Sequence, residues 1–274
     1  MIRDDELLST DGRTADFTER LVDSLGAAGC DLDDLTPADI TVFEDLHVQG
    51  FEATLELAAL GDVDEESLVL DVAAGLGGPT RALADEFGCQ VVGVDLTPAF
   101  CHAATELTRR VGLDDQVTIR NEHALDLPFE DDTFDVVFLQ DLASDIEYKA
   151  GLAAELHRVL VPGGRVAVHE VVAGPVEPLL TPMALTAEGP VGPLVHPDEF
   201  LETMTRAGFE SLDWLDVSIE AAEWYQSMIH RAETEGFPPS FDVVVRDDLV
   251  PVCRSMHRNL DEDRARAYLG LFEK

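Results

Sequence analysis

The fold of this chain is decided by the stretch Val69-Leu-Asp-Val-Ala-Ala-Gly-Leu-Gly-Gly-Pro-Thr80 and by the later stretch Val91-Val-Gly-Val-Asp95. The apolar run at 68–72 predicts a buried parallel strand that breaks into a glycine-rich turn, and a helical pattern opens at Pro79. A second apolar run ends on Asp95, where a carboxylate can accept hydrogen bonds from ribose hydroxyls. Together these elements predict a βαβ unit that binds a nucleotide.

Two nucleotide cofactors compete for such a unit, a dinucleotide such as NAD and S-adenosylmethionine. A dinucleotide site requires G-x-G-x-x-G, but Thr80 stands where the third glycine belongs. Pro79 also removes an N–H that a phosphate would use. Asp71, at the strand end just before the turn, would repel a pyrophosphate, whereas a cationic sulfonium and an ammonium group suit it. The sequence therefore favours S-adenosylmethionine.

The pattern Asp71-x-Ala73-x-Gly75-x-Gly77 resembles motif I of the class I S-adenosylmethionine-dependent methyltransferases. The resemblance implies an α/β, Rossmann-like fold, in which a seven-stranded and mostly parallel sheet carries a helical N-terminal segment and helical cap insertions. It also implies that these four residues contact the cofactor, with Ala73 standing where the family usually has glycine. A predicted turn at 159–164 recurs at the same place in that family.

A second cofactor segment is Asn121-Glu-His-Ala-Leu-Asp-Leu-Pro-Phe129, which resembles the third-strand loop of the same family. That loop normally carries an aspartate that binds the adenine amino group, and His123 occupies its position here. Either His123 stacks on the adenine or Glu122 makes the contact instead. The N–H of Ala124 is expected to bind adenine N1. Two apolar residues complete the predicted cofactor site: Leu96 and Leu125.

The organisation of the chain changes near residue 62. Residues 1–62 carry no strand pattern and are interpreted as an N-terminal helical lid, with helices near 13–28, 37–46 and 51–60. Beyond them, strands and helices alternate, which predicts a parallel sheet in a methyltransferase domain at 63–274. Cap elements are expected at 172–197, which is rich in proline, and at 218–260.

Charge and cysteine usage limit the classes of partner. Acidic residues outnumber basic ones 56 to 18 in a chain of 274 residues, and the net charge is −38. The acids are spread along the chain, which we interpret as adaptation to a salt-rich cytoplasm. Without a basic patch, binding to nucleic acid or an anionic membrane is not expected. The oligomeric state is left open.

The four cysteines show no C-x-x-C spacing, so free thiols in a reducing compartment are predicted and no metal site is expected. No signal peptide or apolar span of about 18 residues is evident, which predicts a soluble, cytoplasmic protein.

Four residues are candidates for the chemical step. Gln140 and Asp141 follow the predicted fourth strand, so they should face the methionine half of the cofactor and orient the acceptor, and Gln140 is also expected to contact the cofactor. His47 and His169 are titratable groups that could remove a proton from the acceptor. The alternative for each histidine is a purely structural, hydrogen-bonded role.

The segment Leu46-His-Val-Gln-Gly-Phe-Glu-Ala53 and the final residues from Arg258 to Lys274 point to one branch of the family. Most of the chain, 44–274, resembles sarcosine/dimethylglycine methyltransferases and their ubiquinone-methyltransferase-like relatives. The resemblance implies methyl transfer to a small acceptor, first of all an amine of the glycine, sarcosine or dimethylglycine type. The alternatives are C- or O-methylation of a quinone, polyketide or other ring compound and, in another class, a non-catalytic S-adenosylmethionine-binding partner protein.

The acceptor pocket is predicted to be built outside the core sheet, from residues 47–51, the loop 172–197 and the helix that bears Trp224 and Tyr225. Those two aromatic residues either line the pocket or pack the cap. Arg254 and Arg258 either bind a substrate carboxylate or form surface ion pairs.

Overall fold

The structure is a computed structural model, and it describes residues 13–44, 47–142, 146–183, 194–236, 243 and 249–274. Seven strands form one sheet: β1 (Leu68–Val72), β2 (Gln90–Asp95), β3 (Val117–Asn121), β4 (Phe134–Gln140), β5 (Leu160–Ala173), β6 (Glu210–Asp216) and β7 (Ala265–Glu273). The described helices are α1 (Arg13–Ala27), α2 (Pro37–Glu44), α3 (Gly50–Leu60), α4 (Gly78–Phe87), α5 (Pro98–Arg110), α6 (Lys149–Val159), α7 (Pro197–Ala207), α8 (Ser218–Thr234) and α9 (Leu249–Asp261).

The strand order is β3-β2-β1-β4-β5-β7-β6, and β7 runs antiparallel to both of its neighbours. The other neighbouring pairs, from β3 to β5, are parallel. This confirms the predicted Rossmann-like, seven-stranded, mostly parallel sheet. Because the strands are parallel, the carboxyl ends of β1, β2 and β4 meet at one edge, where ligands bind in folds of this kind.

The element boundaries differ from the predicted ones at two places. The turn predicted at 159–164 lies largely inside β5, because Leu160 is completely buried and pairs with Phe134 of β4. The first part of β5 is irregular, with a register shift after Phe134 and Gly163 at a φ of 80°. In the predicted loop 172–197, residues 172 and 173 instead continue β5, and residues 184–193 lie outside the described part.

The sheet separates two apolar layers. Along β5, Val166, Val168 and Val172 pack into a layer with α6 and α7. Ala167 and Val171 pack into the opposite layer with α3, α8 and α9. Since side chains alternate along a strand, His169 faces the layer of α3, α8 and α9.

No helix in the described residues is long and apolar enough to cross a membrane. The four cysteines are free thiols, as the sequence predicted.

Candidate active site

The turn after β1 is shaped by three residues in the left-handed region. Ala73, Gly75 and Gly77 have φ values of 66°, 55° and 80°. The main-chain N–H groups of Ala73 and Ala74 both donate to the carbonyl of Val94, at 2.9 and 3.0 Å. A left-handed conformation costs an alanine roughly 1–2 kcal/mol, so Ala73 is held there by these bonds. Glycine, which the family usually has at this position, adopts this conformation without that cost.

The two glycines of the turn face different surroundings. A Cβ added to Gly75 would meet no heavy atom within 4 Å, so this backbone borders open space where a ligand can approach it closely. A Cβ added to Gly77 would lie 2.7 Å from Nη1 of Arg81 and 3.3 Å from the Cβ of Ala104. Open space therefore borders Gly75, whereas Gly77 is closely surrounded by protein atoms.

Arg81 is a buried cation beneath the turn that sequence analysis did not single out. Only 2% of its surface is exposed. Its Nη2 donates to the carbonyl of Leu76 at 2.6 Å, and its Nη1 donates to Oγ1 of Thr108 on α5 at 3.1 Å. Arg81 therefore holds the glycine turn against α5.

Asp71 lies under the same turn and is 2% exposed. The hydroxyl of Thr80 donates to its Oδ2 at 2.5 Å. Burial raises the pKa of Asp71 to about 6; the Thr80 hydrogen bond lowers that pKa, the charge of Asp95 raises it, and the charge of Arg81 lowers it. A cation placed near this carboxylate would stabilise the ionised form. Thr80, which stands where a dinucleotide site has its third glycine, thus has a structural role of its own as the hydrogen-bond partner of Asp71.

Asp95 connects the glycine turn to the end of β2. Its Oδ2 accepts the N–H of Gly75 at 2.9 Å, and its Oδ1 accepts the N–H of Thr97 at 2.8 Å. Burial raises the pKa of Asp95, while these two N–H groups lower it. A carboxylate oxygen can accept more than one hydrogen bond, so both oxygens retain capacity for ribose hydroxyls.

The predicted adenine-side residues lie next to Asp95. The N–H of Glu122 donates to the carbonyl of Asp95 at 3.1 Å. Nδ1 of His123 accepts the N–H of Leu125 at 3.0 Å, so the exposed ring is oriented by its own loop. The side chain of Leu96 is 58% exposed at the end of β2. Ala124 lies between His123 and Leu125 and is half-buried.

The predicted acceptor side begins where β4 ends. Gln140 is the last residue of β4 and pairs in register with His169 of β5. The N–H of Asp141 donates to the carbonyl of His169 at 2.8 Å. Oδ2 of Asp141 accepts the N–H of Val48 at 3.0 Å, which connects the N-terminal segment to this edge of the sheet.

A second connection runs through Thr54 on α3, which is completely buried. Nε2 of His47 lies 2.9 Å from the carbonyl of Gly50, and because a carbonyl only accepts, Nε2 carries the ring proton. Oγ1 of Thr54 lies 3.2 Å from that nitrogen and within 3.4 Å of both amide atoms of Gln140. Burial lowers the pKa of His47 to about 4.

His169 is completely buried. Among the residues that the structure describes, neither of its ring nitrogens has a hydrogen-bond partner. Burial and, to a smaller extent, the nearby His47 lower the pKa of His169 to about 3. Tyr225 of α8 is also buried. Burial raises the pKa of its phenol well above the usual value, and the charges of Asp141 and Cys253 raise that pKa as well.

The structure thus gathers one set of polar side chains near the carboxyl end of β4, which we call the acceptor-side cluster: His47, Thr54, Gln140, Asp141, His169 and Tyr225. Sequence analysis missed Thr54, because a threonine inside an apolar helix gives no signal of a polar partner. Arg254 and Arg258 do not join this cluster. They form exposed ion pairs with Glu233 at 2.5 Å and Glu262 at 2.7 Å.

Residues 70–168 match the profile of the family described as "Methyltransferase domain". Tocopherol O-methyltransferase of Arabidopsis thaliana is 34% identical over 46% of this chain and 37% of its own length. Glycine/sarcosine/dimethylglycine N-methyltransferase of Actinopolyspora halophila is 29% identical over 64% of this chain and 31% of its own length. The matched segments thus span about a third of each relative.

A solved structure, that of the [4+2]-cyclase SpnF, shares the fold with a TM-score of 0.66 and 21% identity over 96% of this chain and 95% of that one. With the glycine turn and Asp95 as described, the family match identifies residues 70–168 as a methyltransferase domain of the class I, S-adenosylmethionine-dependent type. The chain carries a domain of that enzyme family, whose cofactor is S-adenosylmethionine.

Proposed function

We propose that this protein transfers a methyl group from S-adenosylmethionine to a small acceptor by direct in-line displacement. The bond between sulfur and the methyl carbon breaks as the acceptor atom bonds to that carbon, and S-adenosylhomocysteine leaves. Because the methyl group is already activated, positioning and exclusion of water supply most of the acceleration. No step requires a metal.

One observation carries the cofactor assignment: open space borders Gly75, and the N–H of Gly75 is bonded to the carboxylate of Asp95. We assign the ribose to Asp95 and the methionine half to the turn above Asp71, with Gln140 beside it. The adenine is assigned to Leu96 and to the loop of three residues that follows β3, namely His123, Ala124 and Leu125.

For the acceptor, the first choice is an amine of the glycine, sarcosine or dimethylglycine type. The relative from Actinopolyspora halophila supports it by name. The net charge of −38 and the carboxylate of Asp141 disfavour acceptors that carry a multiply charged phosphate. Arg254 and Arg258, the two arginines considered for a substrate carboxylate, form surface ion pairs, so main-chain N–H groups would have to bind the carboxylate of such an amine.

A ring compound is the second candidate. The tocopherol enzyme supports it by name, and the ring of Trp224, which lies 4.9 Å from the ring of Tyr225 in the acceptor-side cluster, adds aromatic surface there. A non-catalytic protein that binds the cofactor is the candidate from another class; the [4+2]-cyclase SpnF, which shares the fold, illustrates that the fold does not by itself imply methyl transfer.

The test is an assay with methyl-labelled S-adenosylmethionine against glycine, sarcosine, dimethylglycine and a hydroquinone, each alone. Label in sarcosine or dimethylglycine supports the amine. Label only in the hydroquinone moves the assignment to ring compounds. Binding of the cofactor by calorimetry, with no label in any acceptor or in a pooled metabolite extract, would favour the non-catalytic candidate.

We also propose a salt-rich cytoplasm as the compartment of this protein. The acidic composition supports the salt, and the free thiols of all four cysteines support a reducing environment.

A further inference from the structure

The ring of His169 is a buried polar group that lacks hydrogen-bond partners among the described residues. Its surface is 0% exposed, and neither Nδ1 nor Nε2 finds a partner among the described residues. Such a group destabilises a fold relative to an apolar side chain of similar volume. Each unsatisfied buried group in a native protein therefore calls for an explanation, and a ligand that completes its bonds is one.

The location of the ring suggests which ligand this is. His169 pairs with Gln140 at the carboxyl edge of β4, where the proposed methyl transfer takes place. Because side chains alternate along β5, the ring of His169 faces α3 and α8, on the side of the sheet where Gln140 contacts Thr54. His47 lies close enough for its charge to influence His169.

The ring also has a defined hydrogen-bonding character. Burial holds the pKa of His169 near 3 and that of His47 near 4, so both rings are neutral at pH 7. A neutral imidazole offers one N–H donor and one acceptor nitrogen. The ligand group that matches this ring can both donate and accept a hydrogen bond and carries no charge. A base this weak does not retain a proton taken from an amine or a hydroxyl at neutral pH.

We propose that His169 binds the methyl acceptor by hydrogen-bonding an uncharged N–H or O–H group on it, and that it does not act as the base. This inference rests on the proposed function and adds to it the state in which the acceptor binds: an unprotonated primary or secondary amine, which glycine and sarcosine provide and dimethylglycine does not, or a neutral hydroxyl. The acceptor atom displaces S-adenosylhomocysteine from the methyl carbon, and the proton that the acceptor loses passes to water after the displacement.

Two variants separate binding from structure. His169→Leu has a similar volume and no polar atom, whereas His169→Gln retains a donor and an acceptor. We expect His169→Leu to raise the melting temperature by about 3 °C, because an unsatisfied group is removed. It should leave the Kd for S-adenosylhomocysteine within about twofold and raise KM for sarcosine, or for a hydroquinone, at least about tenfold. His169→Gln should recover most of that KM.

The control is His230→Leu, because His230 is an exposed residue on α8 and its replacement should change none of the three measurements. A lower melting temperature for His169→Leu with an unchanged acceptor KM would overturn the proposal, since the ring would then have a structural partner. A loss of kcat in His169→Gln as large as in His169→Leu would identify a base and also overturn it.

The sarcosine and hydroquinone assays distinguish an amine from a hydroxyl as the group that is bound. If the parent protein methylates neither compound, the proposed acceptor classes are refuted. The melting temperature of His169→Leu then tests the proposed role of His169 by itself. A rise in His169→Leu with cofactor affinity retained supports a ligand-binding ring, and a fall overturns it.

Discussion

The main-chain N–H of Gly75 donates a hydrogen bond to the carboxylate of Asp95 at 2.9 Å, across the gap between the turn after β1 and the end of β2. The other carboxylate oxygen holds the N–H of Thr97 at the start of α5. One side chain therefore fixes the backbone on both sides of the proposed ribose site. Asp95 orders this edge and also offers its remaining lone pairs to the ligand.

The first prediction concerns Asp95. Asp95→Ala should weaken binding of S-adenosylmethionine and S-adenosylhomocysteine by about 1.5–3 kcal/mol, because hydrogen bonds to a charged group are lost. Isothermal titration calorimetry measures both affinities, and Asp85→Ala, an exposed carboxylate on α4, is the matched control. NADH should not bind. Measurable affinity for NADH together with no response to S-adenosylmethionine would refute the cofactor assignment.

The second prediction compares the two glycines of the turn. Gly75→Ala should cost roughly 1–2 kcal/mol of stability, because its φ of 55° is unfavourable for alanine while its Cβ meets no protein atom. It should nevertheless abolish cofactor binding, since the methyl group enters the space assigned to the ligand. Gly77→Ala should destabilise the protein more, because its Cβ would lie 2.7 Å from Arg81 and 3.3 Å from Ala104.

Urea unfolding and calorimetry on both variants give the comparison. The expected result is that Gly75→Ala loses more affinity than stability and that Gly77→Ala shows the larger loss of stability. Equal effects of the two variants on stability, with cofactor affinity intact in Gly75→Ala, would contradict the assignment of Gly75 as the ligand-facing residue.

The alternation of apolar runs and turns was sufficient to predict the sheet, because the central strands β1 and β4 are almost entirely buried and the turns between elements carry glycine or proline. The same pattern brought Asp71, Gly75 and Asp95 together, since residues at the ends of parallel strands share an edge. It did not predict Arg81, because an arginine in the first turn of a helix is usually exposed. Its burial depends on contacts with Leu76 and with Thr108 of α5, and a single sequence does not show them.

The third prediction follows from the raised pKa of Asp71. The pKa is about 6 in the folded protein and about 3.9 in an unfolded chain, so the folded state binds this proton more tightly between those values. The ionised group therefore opposes folding above about pH 6, and that opposition fades as the pH falls toward 3.9. Asp71→Asn should raise the unfolding free energy near pH 8 by roughly 1–3 kcal/mol relative to the parent protein.

The difference between Asp71→Asn and the parent should shrink as the pH is lowered to about 4.5, where the aspartate is protonated. Urea titrations of both proteins at the two pH values, in the same salt, measure this difference in unfolding free energy. The general effect of pH on an acidic protein is common to both proteins and therefore cancels. Cofactor affinity of the variant should fall at pH 8, because the charge next to the proposed cation site is gone. A stability difference that is constant with pH would show that Asp71 does not titrate in this range.

The last prediction concerns the net charge of −38. Repulsion among surface carboxylates opposes the compact state, and salt screens it over a Debye length that falls from about 10 Å at 0.1 M to about 3 Å at 1 M. Screening also weakens surface ion pairs such as Arg254–Glu233, but each exposed pair contributes at most about 1 kcal/mol. With 56 acidic residues against 18 basic ones, relief of repulsion outweighs that loss. The melting temperature should therefore rise steeply between low and molar KCl, and NaCl of equal ionic strength should act similarly. A melting temperature that stays flat or falls across this range would contradict adaptation to salt.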